Sequence, residues 1–241
     1  MKKHKKLLPK PDFEEEKKLW EKGFDYVIGI DEVGRGAFAG PLVAGAVLFK
    51  KNISTKLLKG VNDSKLLKPR ERERLTKIIS KHCLYSQIVS IPVSVINKVG
   101  IGKANQMAFR KAVKSIMYKV SSIKYKDNQR NKNTKYLIHN TKYFVLVDGF
   151  RVKYITEIGL KNQKAIIKGD QKSISIASAS IIAKVHRDNL MKNLSKKYSL
   201  YNFEKNKGYG TKFHQNAIKK HGICSMHRKN FTSCKDYVDK I

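Results

Sequence analysis

Three times in this chain an apolar run of strand length ends on an acid, and that pattern constrains the fold more than any other feature. Tyr26 to Ile30 runs into Asp31-Glu32, Tyr143 to Val147 into Asp148-Gly149, and Ala165 to Ile167 into Lys168-Gly169-Asp170. Short continuous apolar runs bounded by turn residues read as buried strands. Ligands of open α/β sheets gather beyond strand ends, so acids at three such ends predict one shared site. After the first pair comes a glycine-punctuated loop, Gly34-Arg35-Gly36, and then a second apolar run, Leu42 to Phe49. The unit reads as a buried strand, a tight carboxylate-bearing turn and a partner strand.

Two adjacent acids need a reason to end an oily strand. Successive side chains point to opposite faces, so Asp31 and Glu32 cannot both reach solvent unless the strand bends. Burying either alone costs several kcal/mol. A divalent cation removes the difficulty, because Mg²⁺ takes one or two carboxylates and completes its shell with water and phosphate oxygen. Glycines at 34 and 36 let the backbone approach a ligand and expose N–H groups, and the arginine between them suits an anion. Two ions about 4 Å apart clamp the attacking and leaving oxygens of a phosphodiester displacement. Spacing leaves the fourth acid open between Asp170 and Asp188, and Asp188 also reads as a helix acid salt-bridged to a lysine or arginine. Asp63 reads as a turn residue. The seven histidines form no metal-ligand pair on a credible helix, so zinc is not expected.

Charge points the same way. The 241 residues carry 52 Lys and Arg against 19 Asp and Glu, a net charge of +33. Such an excess favours a polyanionic partner, since phosphate neutralisation dominates nucleic-acid affinity. A basic coat protein without enzymatic activity would explain the charge but not acids at three strand ends. Cys83, Cys224 and Cys234 form no zinc spacing, and an odd count argues against a disulfide framework. No run approaches the roughly 18 apolar residues of a membrane span, and the lysines near the N-terminus lead into no signal-peptide core. A soluble, cytoplasmic chain is expected.

The length fits one sizeable domain with a small appendage. Phe13 to Trp20 reads as a short amphipathic helix over the sheet edge. Pro69 opens a helix to His82 with Leu75, Ile78 and Ile79 inward. Ser86 to Val93 reads as a third strand, and Ala104 to Val120 as a helix. Residues 121–142 form a polar, exposed excursion. Ser173 to Lys197 reads as a long helix with Ile174, Ala177, Ile181 and Val185 inward, its small residues suited to close packing on a sheet. Gly208-Tyr209-Gly210-Thr211 turns into a last helical piece at Lys212 to Lys220, followed by a loop-like basic end. The expected division is one α/β domain over 1–199 that bears the acids and a C-terminal helical appendage over 200–241.

Six segments, in order, resemble type 2 ribonucleases H, specifically bacterial ribonuclease HII. They are Gly29 to Pro41, Asn62-Asp63-Ser64-Lys65, Val147-Asp148-Gly149, Lys168-Gly169-Asp170 through Ala177 to Arg187-Asp188, Lys207 to Thr211, and His227-Arg228-Lys229-Asn230-Phe231. The resemblance implies an α/β fold, a ribonuclease H-like mixed five-stranded sheet flanked by helices, its first three strands antiparallel. It implies an endoribonuclease that uses two Mg²⁺ or Mn²⁺ ions to cut the RNA strand of RNA–DNA hybrids. Cutting also at single ribonucleotides embedded in duplex DNA is implied, with 5′-phosphate and 3′-hydroxyl ends. It places the metal-binding acids at Asp31, Glu32, Asp148 and Asp170. The loop that senses the ribose falls on Gly34, Arg35 and Gly36, and Tyr209 matches the tyrosine that bonds the 2′-hydroxyl and stacks on the next nucleotide. A 2′-hydroxyl is what marks RNA at one position, and a tyrosine supplies both a ring and a hydroxyl. Ser64 and Lys65 are expected to hold a phosphate near the cut, and Lys184 to support the site or to snorkel from its helix. The sister enzyme, ribonuclease HIII, differs at the sensing loop, which here is intact. Ala37 stands where many relatives have proline, the 121–142 excursion is long, no clamp-binding peptide is evident after Phe231, and a monomer is expected.

Overall fold

β1 (Tyr26–Val33) lies at the centre of a five-stranded sheet of order β3-β2-β1-β4-β5 in the computed structural model, which describes residues 10–127, 141–152, 155 and 158–235. It pairs antiparallel with β2 (Leu42–Leu48), which pairs antiparallel with β3 (Tyr85–Ile91). On its other side β1 runs parallel to β4 (Tyr143–Asp148), and β4 parallel to β5 (Gln163–Ile166). This is the mixed five-stranded sheet, its first three strands antiparallel, that the resemblance implied.

Alternation along the strands divides the core into two layers. Ile28 and Ile30 of β1, with Leu42, Ala44 and Ala46 of β2, pack on Ala108, Phe109, Ala112 and Ile116 of helix α4 (Ile101–Asp127). The opposite face is covered by the long helix α5 (Ile174–Lys197), which packs in turn on α2 (Pro69–His82) through Ile181, Leu75 and Ile79. Helix α5 lies unusually close to the sheet. A Cβ built on Gly29 would sit 2.3 Å from the Ser175 carbonyl carbon, and one on Gly45 2.3 Å from the Ala179 oxygen. Glycines on the strands and small residues on the helix together permit that distance.

Several sequence expectations change at the edges. The third strand stops at Ile91, because Pro92 removes a ladder donor and Val93 opens α3 (Val93–Val99). Helix α4 starts before Ala104 and continues to Asp127, so the first part of the supposed excursion is helical, and 128–140 lie outside the described residues. Val185 is only partly buried, and Arg187 takes the inward position instead. The N-terminal helix α1 (Glu14–Glu21) does more than cover an edge. Its buried Glu16 accepts bonds from Ser173 Oγ at 2.6 Å and Ser175 N at 3.1 Å, tying it to the start of α5. The C-terminal segment forms its own apolar cluster of Tyr201, Phe203, Ile218 and Ile223, which also holds Ala39 and Met191. Among the described residues, no helix is long and apolar enough to cross a membrane.

Candidate active site

The acids of β1 lie within the strand, not in a turn after it. Asp31 pairs with Gly45 and Glu32 with Ala44, in regular register. The strand does not bend, so the two side chains point to opposite faces. Asp31 faces α5, where Ser180 reaches it, and Glu32 faces α4, where the fully buried Asn105 lies beside it. Apart from Glu32, neither amide atom of Asn105 reaches a hydrogen-bond partner among the described residues.

Parallel pairing brings in the second acid. Ile30 lies opposite Val147, so one residue further on Asp31 and Asp148 stand side by side at the ends of neighbouring strands. The third acid arrives differently from the sequence expectation. β5 ends at Ile166, and Ile167 is exposed. Lys168 then turns left-handed at φ 54°, and Asp170 sits in the 3₁₀ turn Gly169–Gln171. That turn is latched to the site, because Gly169 N donates to Asp148 Oδ1 at 2.7 Å.

The electrostatics of the cluster are unfavourable by themselves. Burial, with Asp148 and Glu32 adding to it, raises the Asp31 pKa well above the usual carboxylate range. Asp170 is pushed up to about 6 by burial and by Asp63 and Asp148, against Lys65. Glu32 is raised by burial, which Arg35 opposes and Asp148 reinforces. Lys65 Nζ lies 3.7 Å from Asp170 Oδ2. Burial lowers the Lys65 pKa, but Asp170, Asp63, Asp31 and Asp148 outweigh it and raise it. One ammonium thus feels four carboxylates. Asp170 Oδ2 is buried without a hydrogen bond. Acceptors gathered with so few donors fit a hard cation. Among the described residues no three acids converge as a ready-made metal cage. Asp31 Oδ1 accepts Glu32 N at 2.7 Å, and Asp148 Oδ1 accepts Gly169 N. An open set of this kind suits Mg²⁺ or Mn²⁺, which keep several positions for water and phosphate.

A cavity of about 460 Å³ opens beside these acids. It is lined by Asp31, Glu32 and Asp148, by Gly34, Arg35 and Gly36, and by Ser64, Lys65, Lys184 and Tyr209. Every site residue expected from the sequence except Asp170 therefore borders one space, and Asp170 adjoins it through Gly169. Gly34 has φ +87°, and a Cβ there would fall 2.1 Å from Arg187 Nε. A Cβ on Gly36 would meet nothing within 4 Å, which leaves that side of the loop open. Arg35 lies 3.6 Å from Glu32 Oε1 and stacks on the Phe150 ring at 4.8 Å. Ser64 is buried, sharing a 2.9 Å hydrogen bond with Ser180. Lys184 Nζ binds Asp188 Oδ1 at 2.7 Å, and Arg72 Nη2 binds Asp188 Oδ2 at 3.2 Å. Asp188 is thus the salt-bridged helix acid of the two readings left open.

Sequence reasoning missed other contributors. Asp63 is a turn residue, accepting Lys65 N at 2.9 Å, but its Oδ2 also accepts Gln171 Nε2 at 3.1 Å and its charge reaches Asp170. Arg187 and Arg228, both fully buried, bind backbone carbonyls around the Gly34–Pro41 loop. Phe38 N and Ala39 N donate to Gly208 O at 2.8 and 3.2 Å, joining that loop to the turn that carries Tyr209. The scarcity of acids was a usable signal for Asp63. Arg187 and Arg228 fall within the segments that carry the family resemblance, but nothing in the sequence marked them as buried residues that bind carbonyls.

A family model of ribonuclease HII matches residues 28–234, which contain all of these elements. The chain belongs to the ribonuclease HII family. It is 39% identical over 219 residues to ribonuclease HII of Caldicellulosiruptor bescii, covering 91% of this chain and 92% of the relative. The fold is similar to ribonuclease H2 from Pyrococcus horikoshii OT3, with TM-score 0.65 and 24% identity over 89% of this chain and 98% of that one. It is also similar to Bst-RNase HIII in complex with Mn²⁺, with TM-score 0.64 and 18% identity over 89% and 70%. Ribonuclease HII is a hydrolase, an RNase H nuclease acting on RNA–DNA substrates, and membership makes a purely structural coat protein untenable.

Proposed function

We propose that this chain cuts RNA–DNA hybrids and single ribonucleotides embedded in duplex DNA, by two-metal-ion hydrolysis that leaves 5′-phosphate and 3′-hydroxyl ends. The observation that carries the reading is one cavity bordered at once by Asp31, Glu32 and Asp148, by the Gly34-Arg35-Gly36 loop and by Tyr209. Asp31, Glu32, Asp148 and Asp170 are the residues to hold divalent ions. When bound, such ions lower the pKa of the attacking water and stabilise the departing 3′ oxygen.

The chain's own residues do the rest. The backbone N–H groups of the Gly34–Gly36 loop and the Arg35 guanidinium meet the 2′-hydroxyl and adjacent phosphates, where donors placed for one hydroxyl reject a sugar lacking it. Tyr209 offers its hydroxyl to the ribose and its ring to the following nucleotide. Lys65 steadies the phosphate beside the acids, and Ser64 holds Ser180 against Asp31. Lys184, bound to Asp188, adds positive charge to the wall. The segment 200–241 supplies the Tyr209 turn and so contributes to substrate binding, with the chain acting as a monomer.

The test is a DNA duplex carrying one ribonucleotide, incubated with Mg²⁺ or Mn²⁺ and, separately, with chelator. A single nick at the ribonucleotide, abolished by chelator, is expected. Cleavage confined to uniform hybrids would remove the single-ribonucleotide part of the reading.

A further inference from the structure

His214 and His227 are both buried and stand ring to ring, Nε2 to Nε2, at 3.1 Å. His214 Nδ1 lies 2.9 Å from the Tyr209 carbonyl oxygen, which accepts and cannot donate. Cys224 N donates to His227 Nδ1 at 2.9 Å, and Cys224 Sγ and O lie 3.2 and 3.3 Å from the same nitrogen. The Tyr209 end dictates the rest. His214 carries its proton on Nδ1, leaving Nε2 as acceptor, and His227 accepts at Nδ1 and carries its proton on Nε2. The Cys224 N–H, two imidazoles and the Tyr209 carbonyl then form one chain of hydrogen bonds running in a single direction. With both rings neutral, every partner in this chain is satisfied. Tyr201 and Phe203 pack against both rings. Burial accordingly lowers both pKa values, that of His227 to about 4 with His214 adding to the effect.

The chain joins two parts of the site. His227 forms a β-bridge with Ala39 of the glycine loop, while His214 ends on the peptide of Tyr209. We infer that His214 and His227 are positioning residues that fix the Tyr209 backbone relative to the Gly34–Pro41 loop, and through it the selection of a single ribonucleotide. The inference rests on the reading of Tyr209 given above. Neither imidazole borders the cavity, so neither touches the reacting atoms.

Two measurements on the full chain test it. Long-range ¹H–¹⁵N correlation at neutral pH reports imidazole tautomers directly, with His214 expected as Nδ1–H and His227 as Nε2–H. The reverse tautomer at either ring overturns the inference, because it breaks the chain at Tyr209 or between the two rings. The second measurement is the ratio of kcat/KM on the single-ribonucleotide duplex to kcat/KM on a uniform hybrid. His214→Leu is expected to lower that ratio about tenfold, the scale of losing one positioning hydrogen bond. His214→Asn, whose amide nitrogen can replace Nδ1–H, should restore most of it. His227→Leu should lower it as His214→Leu does, with no further loss in the double variant. Tyr209→Ala separates the two possible failures. If Tyr209→Ala loses the ratio and His214→Leu keeps it, the inference alone is wrong. If Tyr209→Ala also keeps it, the reading of Tyr209 has failed and takes the inference with it. Should the leucine variants not fold, the tautomers of the unaltered chain decide.

Discussion

Arg187 and Arg228 grip neighbouring carbonyls of one loop, Arg187 Nη2 at 3.2 Å from Ala39 O and Arg228 Nη2 at 2.9 Å from Gly40 O. Arg187 also donates to Pro41 O and Lys207 O, and Arg228 to Arg35 O. Neither forms a salt bridge among the described residues. Burial and the like charge of Arg187 push the Arg228 pKa down to about 9. Two cations without acid partners are tolerable here because carbonyl dipoles surround them, and their field favours an incoming phosphate.

Arg187→Met should therefore destabilise the protein by about 2–4 kcal/mol, since it leaves three carbonyls without a donor. Arg187→Lys should recover little, because one ammonium cannot span the three directions a guanidinium serves. Denaturant unfolding measures both. A lysine variant as stable as the unaltered chain would show that charge alone matters.

Asp148→Asn should reduce cleavage at least about 1,000-fold while hybrid binding changes by only a few-fold, because the loop and lysines that meet the phosphates are untouched. Gel-shift and single-turnover measurements on the same preparation check this. A parallel loss of binding would argue that Asp148 supports the fold more than the chemistry.

Stability in the absence of divalent ions should run against the usual acid trend. Asp31 and Asp170 have folded-state pKa values raised above those of the unfolded chain, Asp170 to about 6. A raised value means the folded state binds the proton more tightly. The stabilisation is fully present below the unfolded value near 3.8 and is lost as pH rises through the folded value. In chelator, Asp170→Asn should flatten the fall in melting temperature between pH 4 and 6. Asp31→Asn should stabilise the same ion-free protein by about 1–3 kcal/mol, the scale of relieving an uncompensated buried group. Adding Mn²⁺ should raise the melting temperature of the unaltered chain and not of Asp31→Asn. An Asp31→Asn variant less stable in chelator would contradict this account of the cluster.

Tyr209→Phe and Tyr209→Ala separate ring from hydroxyl. If the ring stacks on the nucleotide and the hydroxyl meets the ribose, Phe should lose discrimination for a single ribonucleotide while keeping most activity on uniform hybrid. Ala should lose on both substrates, and more steeply on the single-ribonucleotide duplex. Steady-state rates on the two duplexes settle it, and equal behaviour of Phe and the unaltered chain would take the hydroxyl out of recognition.

What the linear chain determined was the list of parts. Apolar runs of strand length, helices with apolar faces, and acids at the ends of those runs are local properties, written in hydrophobic period and in the scarcity of carboxylates. The order of the motifs was enough to imply the family. Distance was decided only in three dimensions. Parallel pairing of β1 with β4 sets Asp31 beside Asp148, more than a hundred residues apart, and the 3₁₀ turn, not a strand end, delivers Asp170. The lysine and arginine partners of Asp188 were likewise fixed only by packing. The partners of Asp63, Arg187, Arg228 and the His214–His227 pair could not be read beforehand, for one reason. A charged or polar group acquires a role when burial takes away its water and leaves only particular partners, and burial is a property of the packed fold.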